Sequence, residues 1–309
     1  MRRLLIAASV GALAMIGLAT CGQAGSTSVS SGSPPALAAG QTAMVTYCDH
    51  QQARITEPAE LHGRSPAVVY VHGGSWVSGN LNTGGFLIKR LGPALAAKGF
   101  VVVSIDYRLG PSAQWPSQIE DVKCAVRYLR ANARALNIDP GEIGAWGQSA
   151  GGHLVALLGT APPSAGWDVG PYTSQSSRVQ AVVDMAGISD LLTMGSQGAS
   201  GLVQDSFISL LATTPAGELA GVLTKDSPVT YVRPDDPPFL ILASTNDRIV
   251  YPQQSQELSW DLAANGDSHQ LVMVNGGGHE FDEAGESPDE FQITSLVVDF
   301  FVQHLQART

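Results

Sequence analysis

An α/β fold, with a mostly parallel central sheet covered by helices on both faces, is predicted by three observations. Residues 67–71, 100–105 and 239–243 are apolar runs of strand length broken only by Ser104, the pattern of strands buried on both faces. Segments with apolar residues at helical spacing alternate with them, first Ile119, Val122, Val126, Leu129 and Ala133, later residues 293–305. Residues 142–153 pass from a short apolar strand through the tight turn Gly147-Gln148-Ser149-Ala150-Gly151 into an Ala/Leu-rich helix. Strands and helices in alternation build a parallel sheet. With 309 residues, 44% of them hydrophobic and no internal repeat, the chain has enough apolar side chains for one such domain.

In chain order, Met1-Arg2-Arg3 and the apolar residues 4–19 read as the n- and h-regions of an export signal over residues 1–20, too short for a membrane span. Leu18-Ala19-Thr20-Cys21 resembles a lipobox, with Thr20 where a smaller residue is usual. A lipid on Cys21 would anchor the protein to the outer face of a membrane and be its one membrane contact; without it the protein would be secreted. Residues 21–40, mostly Ser, Gly, Ala and Pro, are expected to be a flexible tether, and residues 41–309 the folded domain. That domain opens with two short antiparallel strands, 44–48 and 53–57. Strand 67–71 follows, then His72-Gly73-Gly74-Ser75-Trp76, a helix carrying Leu87, Leu91 and Leu95, strand 100–105 and helix 119–136. After the strand–turn–helix come strands 179–183, 239–243 and 270–274 and the closing helix. Residues 187–237, rich in Gly, Ser, Thr and Pro without a clean period, read as a small cap-like insertion that shapes a pocket. Export and a lipidated Cys21 leave Cys48 and Cys124 as an even pair in an oxidising compartment, where a disulfide is expected; two buried free thiols are the alternative.

The chemistry is carried by residues at strand ends. G-x-S-x-G between strand and helix presents a serine hydroxyl above a sheet, which makes Ser149 the candidate nucleophile. A serine needs a base and a group that orients the base. His279 follows strand 270–274 in a glycine-rich loop, and Asp247 follows strand 239–243. Asp184, Asp226, Asp235 and Asp236 are rival acids; His153, on the elbow helix, His269 and His304 are rival bases less well placed. Fixed N–H donors for a tetrahedral oxyanion are expected from Ala150, directly after the nucleophile, and from Gly74 and Ser75 in the loop after strand 67–71, with Gly73 adjacent. His72 reads as a brace for that loop. Trp76, Trp115, Trp167, Phe207 and Tyr231 are candidates for a pocket lining and equally for core.

These residues, with Asp106-Tyr107-Arg108-Leu109, Ile119-Glu120-Asp121-Val122 and Gly278-His279, are similar to those of bacterial α/β-hydrolase esterases of the hormone-sensitive-lipase type. The similarity is to the exported feruloyl- and acetyl-esterase-like branch in particular. The resemblance implies the α/β-hydrolase fold, serine carboxylic-ester hydrolysis of small or short-chain esters through Ser149, His279 and Asp247, and no cofactor. It also implies that Asp106, Arg108 and Asp121 are framework charges. Glu280 stands where such relatives often have glycine, an extra carboxylate beside the base. The HGGxW pattern also resembles arylformamidases, which cleave N-formyl amides, and a non-catalytic binding protein on the same fold is the remaining alternative.

A formal charge of −10 and a pI near 5.0 argue against a nucleic-acid partner. The seven His and three Cys show no metal-ligand spacing, so no metal is expected. The partner is a small-molecule ester, and the oligomeric state is not readable.

Overall fold

A computed structural model describes residues 34, 36–61, 63–197 and 201–306. The expected signal over 1–20, Cys21 and most of the expected tether lie outside the described residues. The body starts earlier than residue 41: Leu37 packs into the core, and Asn137 Nδ2 donates to its carbonyl at 3.1 Å.

Eight strands form one open sheet in the order β1-β2-β4-β3-β5-β6-β7-β8. They are β1 Thr42–Tyr47, β2 Gln51–Thr56, β3 Ser65–Val71, β4 Val101–Ile105, β5 Ile138–Gln148, β6 Ala181–Met185, β7 Phe239–Ser244 and β8 His269–Val274. β1 pairs antiparallel with β2, and β2 with β4; from β4 through β8 every pairing is parallel. The central strands β4, β6 and β7 are buried at every position, in keeping with sequences that are apolar but for Ser104, Asp184 and Ser244. Helices α2 (Ser117–Ala131), α3 (Ala150–Thr160) and α6 (Gln253–Asn265) cover one face through residues such as Val122, Leu154 and Leu258. Helices α1 (Gly92–Ala97) and α7 (Glu290–Leu305) cover the other through Leu95, Val297 and Phe301. This is the α/β-hydrolase arrangement.

Several boundaries differ from the sequence expectation, for local reasons. The helix expected over 119–136 ends at Ala131, because Ile138 N turns back to Ala133 O at 2.8 Å to start β5. The Leu87–Leu95 helix is broken into a π-helical turn, Leu87–Leu91, and α1, which begins at Gly92-Pro93. β6 begins two residues later than expected and runs on to Met185. Among the described residues the insertion holds the α-helices α4 (Gly201–Leu210) and α5 (Leu219–Lys225) and a short 3-10 turn, Pro228–Tyr231. α7 is started by a capping box: Asp289 accepts from Gln292 N at 2.8 Å, and the Gln292 side chain accepts from Asp289 N at 2.9 Å.

Two ties hold the sheet's leading edge. Cys48, just after β1, forms a disulfide with Cys124 of α2, with Cα atoms 6.2 Å apart across a sequence separation of 76. Arg108, just after β4, grips Asp121 of α2: its Nη2 lies 2.7 Å from Oδ1 and its Nε 2.9 Å from Oδ2, a fork geometry that neither lysine nor a single contact reproduces. Among the described residues no helix is long and apolar enough to cross a membrane.

Candidate active site

Parallel register brings the strand ends to one level. Val71 pairs with Gly147, Gln148 with Met185, Met185 with Leu242, and Ser244 with Val274. The loops leaving β3, β5, β7 and β8 therefore emerge along the same edge, where open α/β sheets place their sites.

Ser149 stands between β5 and α3 with φ 58° and ψ −122°, a conformation rare outside glycine. The neighbours enforce it. A Cβ on Gly151 would come within 2.1 Å of Val71 O, so the turn closes only with glycine there. Ser149 N donates to Met185 O at 2.9 Å, tying the strained residue to the next strand. Ala150 opens α3 behind it, and the positive end of that helix faces the serine.

His279 and Asp247 meet although 32 residues apart. His279 Nδ1 lies 2.7 Å from Asp247 Oδ2. The other carboxylate oxygen accepts from the amides of Ile249 and Val250 at 2.8 and 3.0 Å. Asp247 is almost wholly buried, with a side-chain exposure of 1% against 8% for His279. A buried carboxylate held by three hydrogen bonds fixes the imidazole's tautomer and direction. Gln148, one of the two x positions of G-x-S-x-G, supplies a further contact: its Nε2 donates to His279 O at 2.7 Å. The nucleophile turn thus holds the base loop directly. The sequence carried no signal of this, because the two residues are 131 apart.

Ser149, His279, Gly74 and Ser75 line one cleft of about 420 Å³, with Gly73, Gln148 and Glu280. The loop carrying Gly74 and Ser75 is unusual backbone: φ is 115° at Gly74, 52° at Ser75 and 60° at Trp76. Among the described residues the amides of Gly74 and Ser75 donate to no backbone carbonyl. A Cβ on Gly74 would fall 2.1 Å from Ser78 O, so only glycine passes. His72 Nδ1 lies 2.6 Å from Gly73 O, and its ring stacks on Tyr107 at 4.3 Å. Burial lowers the His72 pKa, keeping this brace neutral. The outer wall is apolar: Leu202 and Val203 from α4 and Ile249 from the loop after β7.

The rival residues lie elsewhere. Asp184 is buried beneath α3, where Oδ1 accepts from Gly187 N at 2.9 Å; burial pushes its carboxyl up to about 7. Asp236 accepts from Arg233 N at 3.1 Å, and Asp235 and Asp226 likewise do not line the cleft. His269 bonds Asp267 O, and His304 packs tilted against the Phe300 ring. His153 sits in an aromatic nest: Trp76 Nε1 donates to its Nδ1 at 3.2 Å, and its Nε2 lies 2.9 Å from Asp226 O. Full burial lowers its pKa to about 4. The five aromatic pocket candidates belong to or adjoin this nest rather than the cleft lining. Trp76 and Trp115 pack on Phe207 at 4.8 and 5.1 Å, and Trp167 packs on Trp115 and Tyr231 at 6.0 and 5.8 Å. Their apolar area is used in the core. Among the described residues no group of three or more His, Cys, Asp or Glu side chains is arranged to hold a metal ion.

A family model described as BD-FAE matches residues 54–262. Esterase LipC of Mycobacterium tuberculosis is 31% identical over 219 residues, covering 71% of this chain and 53% of that protein. Carboxylesterase NlhH of the same organism is 38% identical over 105 residues, covering 34% of this chain and 32% of its own length. The chain spans about half the length of LipC and less of NlhH. Among solved structures, a truncated carbohydrate esterase from gut microbiota superposes with a TM-score of 0.71 at 29% identity, covering 88% of this chain and 100% of that one. A bifunctional GH43-CE protein of Bacteroides eggerthii gives a TM-score of 0.75 at 31% identity, covering 87% and 38%.

Proposed function

We propose that this chain, which belongs to the BD-FAE family, is a serine carboxylic-ester hydrolase acting on small or short-chain esters. The observation that carries the reading is the 2.7 Å contact of His279 Nδ1 with buried Asp247, in a cleft that His279 shares with strained Ser149. In this mechanism Ser149 Oγ attacks the ester carbonyl carbon while its proton passes to His279 Nε2, and Asp247 stabilises the imidazolium. The amides of Ala150, Gly74 and Ser75 donate to the oxyanion. Collapse of the tetrahedral intermediate expels the alcohol, which takes the proton from His279 and leaves an acyl-Ser149. Water, deprotonated by the same imidazole, then releases the acid and restores the hydroxyl. Esterase relatives support the class of reaction; an acetyl or feruloyl group is the finer part of the proposal. The leader sequence supports export with a lipid anchor at Cys21, and the Cys48–Cys124 disulfide suits the oxidising compartment that export reaches.

The test is hydrolysis of p-nitrophenyl esters from acetate to long-chain acids by wild type and Ser149→Ala. Turnover of the short esters is expected, with loss of about 10³-fold or more in the variant. No ester turnover combined with hydrolysis of N-formylkynurenine-type amides would replace the esterase reading by a formamidase one. Silence on both would leave a binding protein.

A further inference from the structure

We propose, resting on the esterase reading above, that Glu280 selects substrates by charge. The site takes esters that are neutral or cationic beside the scissile bond and turns away those bearing a carboxylate there. Glu280 lines the cleft next to His279, and no Lys or Arg side chain lines it. Its carboxylate makes no hydrogen bond or ion pair among the described residues and is exposed. It is therefore a solvated negative charge, not a structural ion pair. Its field reaches the wall of the cleft: after burial, Glu280 is the second influence raising the pKa of the Tyr70 phenol. That phenol donates to the carbonyl of cleft residue Thr83 at 2.8 Å.

The surroundings reinforce the sign. Glu280, Asp282, Glu283, Glu286, Asp289 and Glu290 follow the base within eleven residues, and no Lys or Arg lies between His279 and Gln306. Arg90 is engaged by Glu290 at 2.7 Å. Arg248 lies over the Tyr251 ring at 6.0 Å and does not line the cleft. The apolar lining side chains, Leu202, Val203 and Ile249, offer no donor to replace the water that an entering carboxylate would lose. One sign of charge in a cleft with apolar lining focuses potential there.

Three thioacetates test this, each read by the thiol it releases: acetylthiocholine as the cation, 3,3-dimethylbutyl thioacetate as its neutral isostere, and 3-(acetylthio)propionate as the anion. Ratios of kcat/KM carry the result, because they do not depend on the fraction of active protein. For wild type the order cation, neutral, anion is expected, with the ratios narrowing as NaCl screens the charge. Glu280→Gln should lower the cation-to-neutral ratio and raise the anion-to-neutral ratio, each roughly two- to fivefold, the size of an exposed charge pair. Glu280→Lys should move both further the same way. Wild-type ratios retained in both variants overturn the charge selection while the esterase reading stands. A wild type that cleaves p-nitrophenyl acetate but none of the three overturns this proposal alone, and one silent on all four brings down the esterase reading with it.

Discussion

His153 and His279 carry the same side chain in opposite surroundings. At His153 the indole of Trp76 donates to Nδ1, so Nε2 must carry the proton and donate to Asp226 O. Both nitrogens are spent on neutral partners inside an apolar nest, and the ring is held uncharged, with its pKa near 4. At His279 the partner of Nδ1 is a carboxylate, so Nδ1 carries the proton and Nε2 keeps its lone pair toward chemistry. One contact, indole or carboxylate at Nδ1, separates a packing histidine from a candidate base. Position in the chain does not, since His153 is the closer of the two to Ser149 in sequence.

The largest expected break in this contrast comes from Asp247→Asn. The amide either presents its NH₂ to Nδ1 or lets the ring take the other tautomer, and both remove the base. Turnover of a short ester at neutral pH is expected to fall by about 10³- to 10⁴-fold with folding retained, read by steady-state kinetics beside a thermal melt.

His153→Phe asks the opposite question. It leaves the Trp76 N–H and Asp226 O without partners, and stability at pH 7 should fall by about 1–3 kcal/mol, measured by urea unfolding. The difference should also depend on pH. The folded state refuses a proton that the unfolded chain binds between about pH 6.5 and 4. This contribution is complete above about 6.5 and is lost as pH falls toward 4, about 3 kcal/mol in all. The stability gap between wild type and variant should therefore shrink across that window. Asp184 and Asp226, raised to about 7 by burial, act in the other direction: their contribution is present at low pH and lost as pH rises through 7. Both are retained in the variant, so they cancel in the difference. A gap that does not change with pH would mean that His153 titrates normally.

The smallest expected effect is that of Gln148→Met, which keeps the side chain's length and removes the donor to His279 O. A fall in kcat of about tenfold is expected, with KM nearly unchanged, since the contact places the base and does not touch the substrate. An equal loss in stability and activity would make Gln148 a packing residue only.

The parts of this site that were legible in the sequence are those fixed by local chain geometry. Ser149 announces itself by the glycines a tight strand-to-helix turn needs, and Asp247 and His279 by following apolar strands whose carboxyl ends a parallel sheet must align. The architecture was legible for the same reason: strands such as 239–243 are apolar throughout because both faces are covered. What stayed hidden depends on contacts across the fold. Nothing near Trp76 marks its indole as the partner of a histidine 77 residues later, and its large apolar ring suits a pocket as well as a core. Gln148 occupies one of the two elbow positions, with Ala150, whose identity the G-x-S-x-G motif leaves open. The ends of β6 and α2 are set by their neighbours' hydrogen bonds, so local pattern misplaced them by two to five residues.

The Cys48–Cys124 bond has a consequence for the way the chain is made. Both cysteines precede β5, so the segments they join are synthesised before Ser149, Asp247 or His279. The covalent ring encloses β2, β3, α1 and β4 entire, three of the eight strands together with the loop bearing Gly74 and Ser75. In an oxidising compartment this segment can therefore close in a ring while the part that supplies the serine, acid and base is still arriving. A protease that later nicks the exposed turns within 48–124 opens the ring but does not release a fragment.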